Sequence, residues 1–134
     1  MSCINDHALI EFAQQAIPDL IALYRFGSQA KGTARPDSDV DLAIFSRVAL
    51  SELRRFELAQ ELATQLHRDV DLVDLRSAST VMRMQVISTG TCLNAPSESA
   101  QREFEMYAYS DYSRLNEERR EILKRVRASG LIYG

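Results

Sequence analysis

Residues 26–45 read Phe-Gly-Ser-Gln-Ala-Lys-Gly-Thr-Ala-Arg-Pro-Asp-Ser-Asp-Val-Asp-Leu-Ala-Ile-Phe, and this stretch carries most of the information about the chain. An apolar run ends at Gly27-Ser28, and a second apolar run starts at residue 40. Glycine can adopt backbone angles closed to other residues, so the chain can turn sharply there and present amide groups to an anion. Asp39 and Asp41, two positions apart on a predicted strand, point to the same face. The stretch therefore predicts a strand, a turn, and a second strand that begins with paired carboxylates.

The carboxylate pair favours a divalent cation, because two carboxylates on one face repel each other and magnesium binds carboxylate oxygens together with substrate phosphates. Two simpler interpretations exist. An aspartate in a Pro-Asp-Ser-Asp run such as residues 36–39 is often a turn residue that hydrogen-bonds its own backbone, and Ser28 could be a helix cap. Lys31 and Arg35, inside the intervening loop, could offset phosphate charge, although basic loop residues are usually only solvated.

A third carboxylate is expected, since two metal ions need more ligands than one Asp pair readily supplies. Residues 69–75 read Asp-Val-Asp-Leu-Val-Asp-Leu, and this alternation is typical of a strand with one wet or metal-facing side. Asp69 and Asp71 would share one face, and Asp74 would lie on the other. The spacing alone leaves the choice among them open.

The motif resembles the signature of the nucleotidyltransferase superfamily related to DNA polymerase beta, Gly-Ser followed after a helical turn by Asp-x-Asp. Here Gly27-Ser28 is followed by ten residues and then by Asp39-Val40-Asp41. The surrounding residues, Gly-Ser-x-Ala-x-Gly-x-Ala-Arg-Pro-x-Ser-Asp-x-Asp-Leu, are similar to the minimal (MNT-type) nucleotidyltransferases of bacteria and archaea. A lone Asp-x-Asp would be weak evidence, but this composite pattern between two predicted strands is specific.

The resemblance implies a site as well as a fold. It selects Asp71 as the third acidic residue, which would hold the metal nearest the acceptor hydroxyl and help remove its proton. It implies two Mg²⁺ ions as cofactors and ATP as substrate. The implied catalytic and metal-binding residues are Asp39, Asp41 and Asp71, and the implied nucleotide-binding residues are Gly27, Ser28, Lys31 and Arg35.

The resemblance further implies an enzyme that transfers AMP from ATP to a tyrosine hydroxyl of a HEPN-type ribonuclease toxin and thereby acts as its antitoxin, in a hetero-oligomer. One alternative is an antitoxin that neutralises the toxin by binding alone. Another is a small-molecule nucleotidyltransferase of the aminoglycoside type. The intact set of three carboxylates argues against an inactive enzyme. Base preference, acceptor residue, number of AMP units and stoichiometry do not follow from the sequence.

Composition limits the classes of partner. The 134 residues carry a net charge of −3 without a block of like charges, which disfavours a template-directed polymerase and direct nucleic-acid binding. Cys3 and Cys92 are far apart in the sequence and are interpreted as free thiols in a reducing cytoplasm. No apolar run approaches the length of a membrane span, so we expect a cytoplasmic protein.

Helices that alternate with three or four strands predict an α/β sandwich, and a length of 134 residues predicts a single domain, residues 1–134. The resemblance implies the polymerase beta-like form of this fold, a small mixed sheet of three to four strands flanked by helices. The helix over 51–66 is expected to bury a stripe that includes Leu53 and Phe56. The long C-terminal helix, about 98–127, carries an apolar series from Phe104 to Val126 that is interpreted as ordinary packing or, alternatively, as a partner-binding surface. The predicted helices are 5–16, 28–31 (one turn), 51–66, 77 or 79 to 89, and 98–127; the predicted strands are 20–26, 40–45, 69–75 and 91–94.

Overall fold

A computed structural model describes residues 6–27 and 39–129 of the chain. Along these residues the chain forms four helices and four strands. In order they are α1 (Asp6–Ala16), β1 (Leu20–Phe26), β2 (Val40–Ser46), α2 (Glu52–Leu66), β3 (Val70–Asp74), α3 (Thr80–Thr89), β4 (Thr91–Asn94) and α4 (Glu98–Ser129). The elements predicted in these ranges are confirmed within one or two residues at each end. The predicted turn over 28–31 lies outside the described residues.

Local hydrogen bonds set the helix boundaries. The Ser51 hydroxyl accepts from the backbone N–H of Arg54 at the start of α2, and the Ser79 hydroxyl accepts in the same way at the start of α3. A serine in this position satisfies a donor that the helix leaves unpaired. At the other end of α2, His67 has a left-handed φ of 56° and its N–H donates to the Ala63 carbonyl. Ser79, rather than Ser77, is therefore the residue that begins α3.

The four strands form one mixed sheet in the order β3-β2-β1-β4. Strand β1 is antiparallel to both β2 and β4, whereas β2 and β3 are parallel. The parallel pair needs a crossover connection, which α2 provides. The strand order has a direct consequence: β1 ends and β2 and β3 begin at the same end of the sheet.

Both faces of the sheet are covered, which explains why β1 and β2 are almost continuously apolar. On one face, α1 and α2 pack through Leu9, Leu58 and Leu62. On the other face, α3 and α4 pack through Val86 and Phe104. The α/β fold class with a long C-terminal helix is confirmed.

The first half of α4 is fixed to the sheet by an aromatic and a polar contact. The rings of Phe104 and Phe45 stack with centroids 4.0 Å apart. The hydroxyl of the buried Tyr24 donates to Glu105 at 2.7 Å. Burial, with a smaller contribution from Glu105, raises the pKa of Tyr24 far above its usual range. Tyr24 is thus a neutral hydrogen-bond donor that joins β1 to α4.

The expected stripe on α2 is partly wrong. Leu53 and Phe56 are 70% and 58% exposed, whereas Leu58 is 1% exposed and packs with Ala59 against the sheet. At about 100° per residue, Leu58, Ala59, Leu62 and Leu66 lie on one side of the helix, and Leu53 lies nearly opposite. The predicted stripe combined residues from two sides of the helix.

The apolar series on α4 is buried over only part of its length. Phe104 and Ala108 are buried, but no residue from 109 to 129 is, and Ile122 is 56% exposed. Ordinary packing therefore accounts for the first half of the series alone. Among the described helices, α4 included, none is both long enough and apolar enough to span a membrane.

The corrected stripe makes a testable prediction. Leu58→Ala removes a fully buried side chain and should lower the free energy of unfolding by about 2–5 kcal/mol. Leu53→Ala, the matched control on the same helix, should change it by less than about 0.5 kcal/mol because the side chain is exposed. Urea unfolding of both variants provides the measurement. Equal losses would mean that the two sides of α2 are assigned wrongly.

Candidate active site

Asp41 lies at the end of the sheet where β1 stops and β2 starts. In the antiparallel register Phe26 is opposite Asp41, so Gly27 follows directly beside this carboxylate. Gly27 has a φ of +72°, which residues with a Cβ rarely adopt. A Cβ built on Gly27 would overlap the Oδ2 atom of Asp41. The glycine is therefore required both by the turn, which the sequence predicted, and by the close approach of the carboxylate, which it did not.

Asp71 is the direct neighbour of Asp41 on the next strand. The parallel register of β2 and β3 pairs Asp41 with Asp71, and paired residues in adjacent strands point to the same side of the sheet. The Val40 N–H donates to the Asp69 carbonyl at 2.9 Å, which ties the two strand entrances together. The backbone thus brings together two acidic segments that are about thirty residues apart in the sequence.

Asp39 completes a group of three carboxylates. It immediately precedes β2, on the same side as Asp41 by the two-residue period of a strand, and is exposed. The pKa of Asp41 is raised by partial burial and then by the negative charges of Asp71 and Asp39. The carboxylates are close enough to repel one another, and a cation at this position would relieve the repulsion.

The three carboxylates form an open group rather than a closed cage. Within residues 6–27 and 39–129, no set of three or more His, Cys, Asp or Glu side chains is placed to hold a metal ion by itself. Magnesium typically takes one or two protein carboxylates and completes its shell with water and substrate phosphates. Asp41 and Asp71 are neighbouring carboxylates, so they could supply the one or two protein ligands of such an ion.

The other two acidic candidates have different environments. Asp74 is 5% exposed, and its carboxylate accepts from the Leu50 N–H at 2.8 Å and from the Arg76 N–H at 3.0 Å. It holds the loop after β2 and the turn after β3, which is a capping role. Asp69 is exposed at the entrance of β3 and contributes its backbone carbonyl.

The basic candidates are separated from this group or cannot be placed. Arg25 is opposite Leu42 in the register, so it lies on the other face of the sheet from Asp41, and there it forms an ion pair with Asp6 of α1. The remaining predicted nucleotide-binding residues, Ser28, Lys31 and Arg35, lie outside the described residues.

Gly90 lies against the end of β1, a contact that could not be recognised from the sequence. It ends α3, and a Cβ there would lie 2.9 Å from the Arg25 carbonyl and 3.1 Å from Cβ of Phe26. The missing side chain lets the end of α3 approach the last residues of β1, immediately before Gly27. A glycine directly after a helical pattern was the available signal, and it indicates only the end of the helix.

A mixed sheet between helices, with a glycine turn beside three carboxylates, defines the nucleotidyltransferase class of site. Residues 7–99 match the family model described as Polymerase beta, Nucleotidyltransferase. The chain belongs to this family, and the resemblance drawn from its motif is confirmed.

Individual relatives specify the class further. The chain is 40% identical over 132 residues to the protein adenylyltransferase MntA of Shewanella oneidensis, which covers 96% of this chain and 92% of that protein. A crystal structure of a toxin–antitoxin with AMP-PNP superposes with a TM-score of 0.83 at 40% identity and covers 92% of this chain and 98% of its own. A structure of the tri-AMPylated Shewanella oneidensis HEPN toxin in complex with the MNT antitoxin superposes with a TM-score of 0.77 at 37% identity and covers 94% and 98%.

The contact between Gly27 and Asp41 can be tested by a double-mutant cycle. Gly27→Ala should destabilise the protein by about 1–2 kcal/mol from its left-handed backbone alone, and by more because the new methyl group meets the carboxylate. Asp41→Ala removes that carboxylate, so Gly27→Ala should cost less in the Asp41→Ala background. Chemical unfolding of the four proteins measures the coupling. Additive effects would show that the two residues are not in contact.

The repulsion at Asp41 predicts a pH-dependent gain in stability. Because the pKa of Asp41 is higher in the folded state, its ionisation destabilises the fold as pH rises through that raised value. In metal-free buffer, Asp41→Asn should therefore unfold at a higher temperature than wild type at pH 7. The difference should disappear at pH values below the ordinary aspartate pKa of about 3.9.

Glu57→Gln, which neutralises an exposed residue of α2, is the control for loss of one charge. If Asp41→Asn is no more stable than this control at pH 7, the carboxylates do not repel one another in the folded protein.

Proposed function

We propose that this protein is an adenylyltransferase that moves AMP from ATP to a tyrosine hydroxyl of a HEPN-type toxin and acts as the antitoxin. The observation that carries the proposal is the strand register that places Asp41 between Gly27 and Asp71. The relatives add the chemistry, since one is a protein adenylyltransferase and another structure contains an AMPylated HEPN toxin with its antitoxin.

The reaction is a substitution at the α-phosphorus of ATP. The tyrosine oxygen forms a bond to this phosphorus, the bond to the β-phosphate oxygen breaks, and pyrophosphate leaves. The hydroxyl proton is released, and Asp71 is the residue we assign to accept it because it lies on an exposed edge of the group. Its neighbour Asp41 orients the reacting groups, and Gly27 follows β1 directly beside this carboxylate.

We assign Asp39, Asp41 and Asp71 as the ligands of two Mg²⁺ ions. The fit rests on the crowding of three negative charges at Asp41, which these ions would neutralise. Bound there, magnesium would supply charge stabilisation for the triphosphate and for the leaving pyrophosphate. By the same resemblance, Ser28, Lys31 and Arg35 are assigned to the nucleotide phosphates.

Modification explains how such an enzyme would silence a ribonuclease. Each AMP unit adds bulk and a phosphate charge where RNA phosphates must approach, so steric exclusion and repulsion act together. We place this reaction in the cytoplasm, where ATP is abundant and where the exposed free thiol of Cys92 would remain reduced.

A labelling experiment tests the chemistry. The purified protein with Mg²⁺ and a cognate HEPN-type toxin should transfer label from α-³²P-ATP but not from γ-³²P-ATP, because pyrophosphate leaves. Asp39→Asn with Asp41→Asn should lower the rate by roughly a hundredfold or more, the order seen when a group that stabilises transition-state charge is removed. Chelation of Mg²⁺ should have the same effect.

Asp19→Asn is the matched control, because Asp19 is an exposed aspartate that precedes β1 at the opposite end of the sheet. Wild-type labelling by the double variant would refute the assigned site. A double variant that transfers no label yet still silences the toxin would show that binding alone neutralises it.

A further inference from the structure

The second half of α4 contributes no buried residue to the domain. The helix has 32 residues, which corresponds to about 48 Å at ~1.5 Å per residue. Its buried residues, Phe104 and Ala108, both lie in the first half. Within residues 109–129 no side chain is buried. The only ion pairs described in this part are the surface pairs Arg114–Asp111 and Lys124–Glu121, which contribute little to stability.

A continuous stripe runs along this second half of α4. It starts from Ala108 and continues at alternating intervals of four and three residues. Its members are Tyr112, Leu115, Arg119, Ile122 and Val126. This spacing is the heptad pattern by which one helix packs along another. Ile122 is 56% exposed and its neighbour Leu123 is 49% exposed. Tyr112, Leu115 and Val126 are half-buried, so the described residues of this domain cover the stripe only in part and leave room for a helix of another molecule.

Arg119 argues against a second copy of this chain as the occupant. It lies at the centre of the stripe, midway between Tyr112 and Val126, so two α4 helices paired in register, parallel or antiparallel, would bring Arg119 against its own copy. Like charges in a desolvated position are strongly unfavourable. Within the described part of the chain, Arg119 has no ion-pair partner, and a carboxylate of another protein would complement it when the stripe is covered.

The charge around the stripe also favours a partner other than a second copy of this chain. Residues 119–127 contain one acidic residue and five basic residues, of which Lys124 lies on the side of the helix opposite the stripe, in a chain whose net charge is −3. Basic residues at a helix C-terminus are favoured by the helix dipole, but that effect is confined to the last turn. Arg119 and Arg120 lie more than two turns from the end of α4 at Ser129. A partner with an acidic helix would complement this segment.

We propose that the stripe Tyr112, Leu115, Arg119, Ile122 and Val126 docks an amphipathic helix of the HEPN partner that presents a carboxylate to Arg119. This inference rests on the proposed function for the identity of the partner. It extends that proposal by assigning the surface, which lies on a part of the molecule separate from the three carboxylates. The first half of α4, fixed to the sheet through Tyr24 and Phe104, would hold the docked partner in a defined position relative to the site.

Binding and transfer are measured separately. The cognate HEPN-type toxin is titrated without nucleotide, so that the affinity does not depend on catalysis. Ile122→Asp and Arg119→Glu should each weaken binding by about tenfold or more, the size expected for central interface residues. Lys124→Glu and Ser113→Asp, which introduce the same charges on the opposite side of α4, should change it by less than about threefold.

Each result has a defined meaning. Wild-type affinity of both Ile122→Asp and Arg119→Glu would overturn the assigned surface even if the wild-type protein transfers AMP. The double variant Asp39→Asn with Asp41→Asn should lose AMP transfer but bind the toxin with wild-type affinity. This result would support a docking surface that is separate from the carboxylates. Sedimentation of the chain alone provides the second arm: a dimer that Ile122→Asp dissociates would identify a second copy as the occupant and overturn the proposal.

Discussion

The pairing of β2 with both of its neighbours is the constraint on which the site depends. Its antiparallel contact with β1 places Gly27 beside Asp41, and its parallel contact with β3 places Asp71 on the other side. Backbone hydrogen bonds between the strands hold these residues next to one another despite the repulsion among the carboxylates. A slip of one residue in either register would turn the acidic side chains to the opposite face.

The apolar layers on both faces hold the strands against the repulsion that this arrangement creates. Residues such as Val40, Leu42 and Ala43 are fully buried immediately after the acidic entrance of β2. Asp74, by contrast, is buried and satisfied by two backbone N–H groups. The same short strand β3 therefore contains an acidic residue that stabilises the fold and another, Asp71, that contributes to the charge excess at the site.

Most of the helices and strands could be predicted from the sequence, because the local signals that mark their ends are strong. The serine cap at Ser51, the choice between Ser77 and Ser79 for α3, and the period-two patterns of the strands gave boundaries close to those observed. The sheet order could not be derived from periodicity, because strand pairing depends on distant segments. The α2 stripe failed at Leu53, since apolar residues on both sides of a helix leave its orientation ambiguous until the sheet is known. For α4, an apolar series predicted an interface but not whether this chain would cover it.

The position of β3 at the end of the strand order gives Asp71 a second effect. An outermost strand exposes unpaired backbone groups that can recruit a strand from another molecule, and a charge pointing from such a strand is a common protection against aggregation. Asp69 and Asp71 supply two such charges along this border. Neutralising Asp71 therefore removes a barrier to self-assembly, so solubility becomes a separate cost of altering this residue.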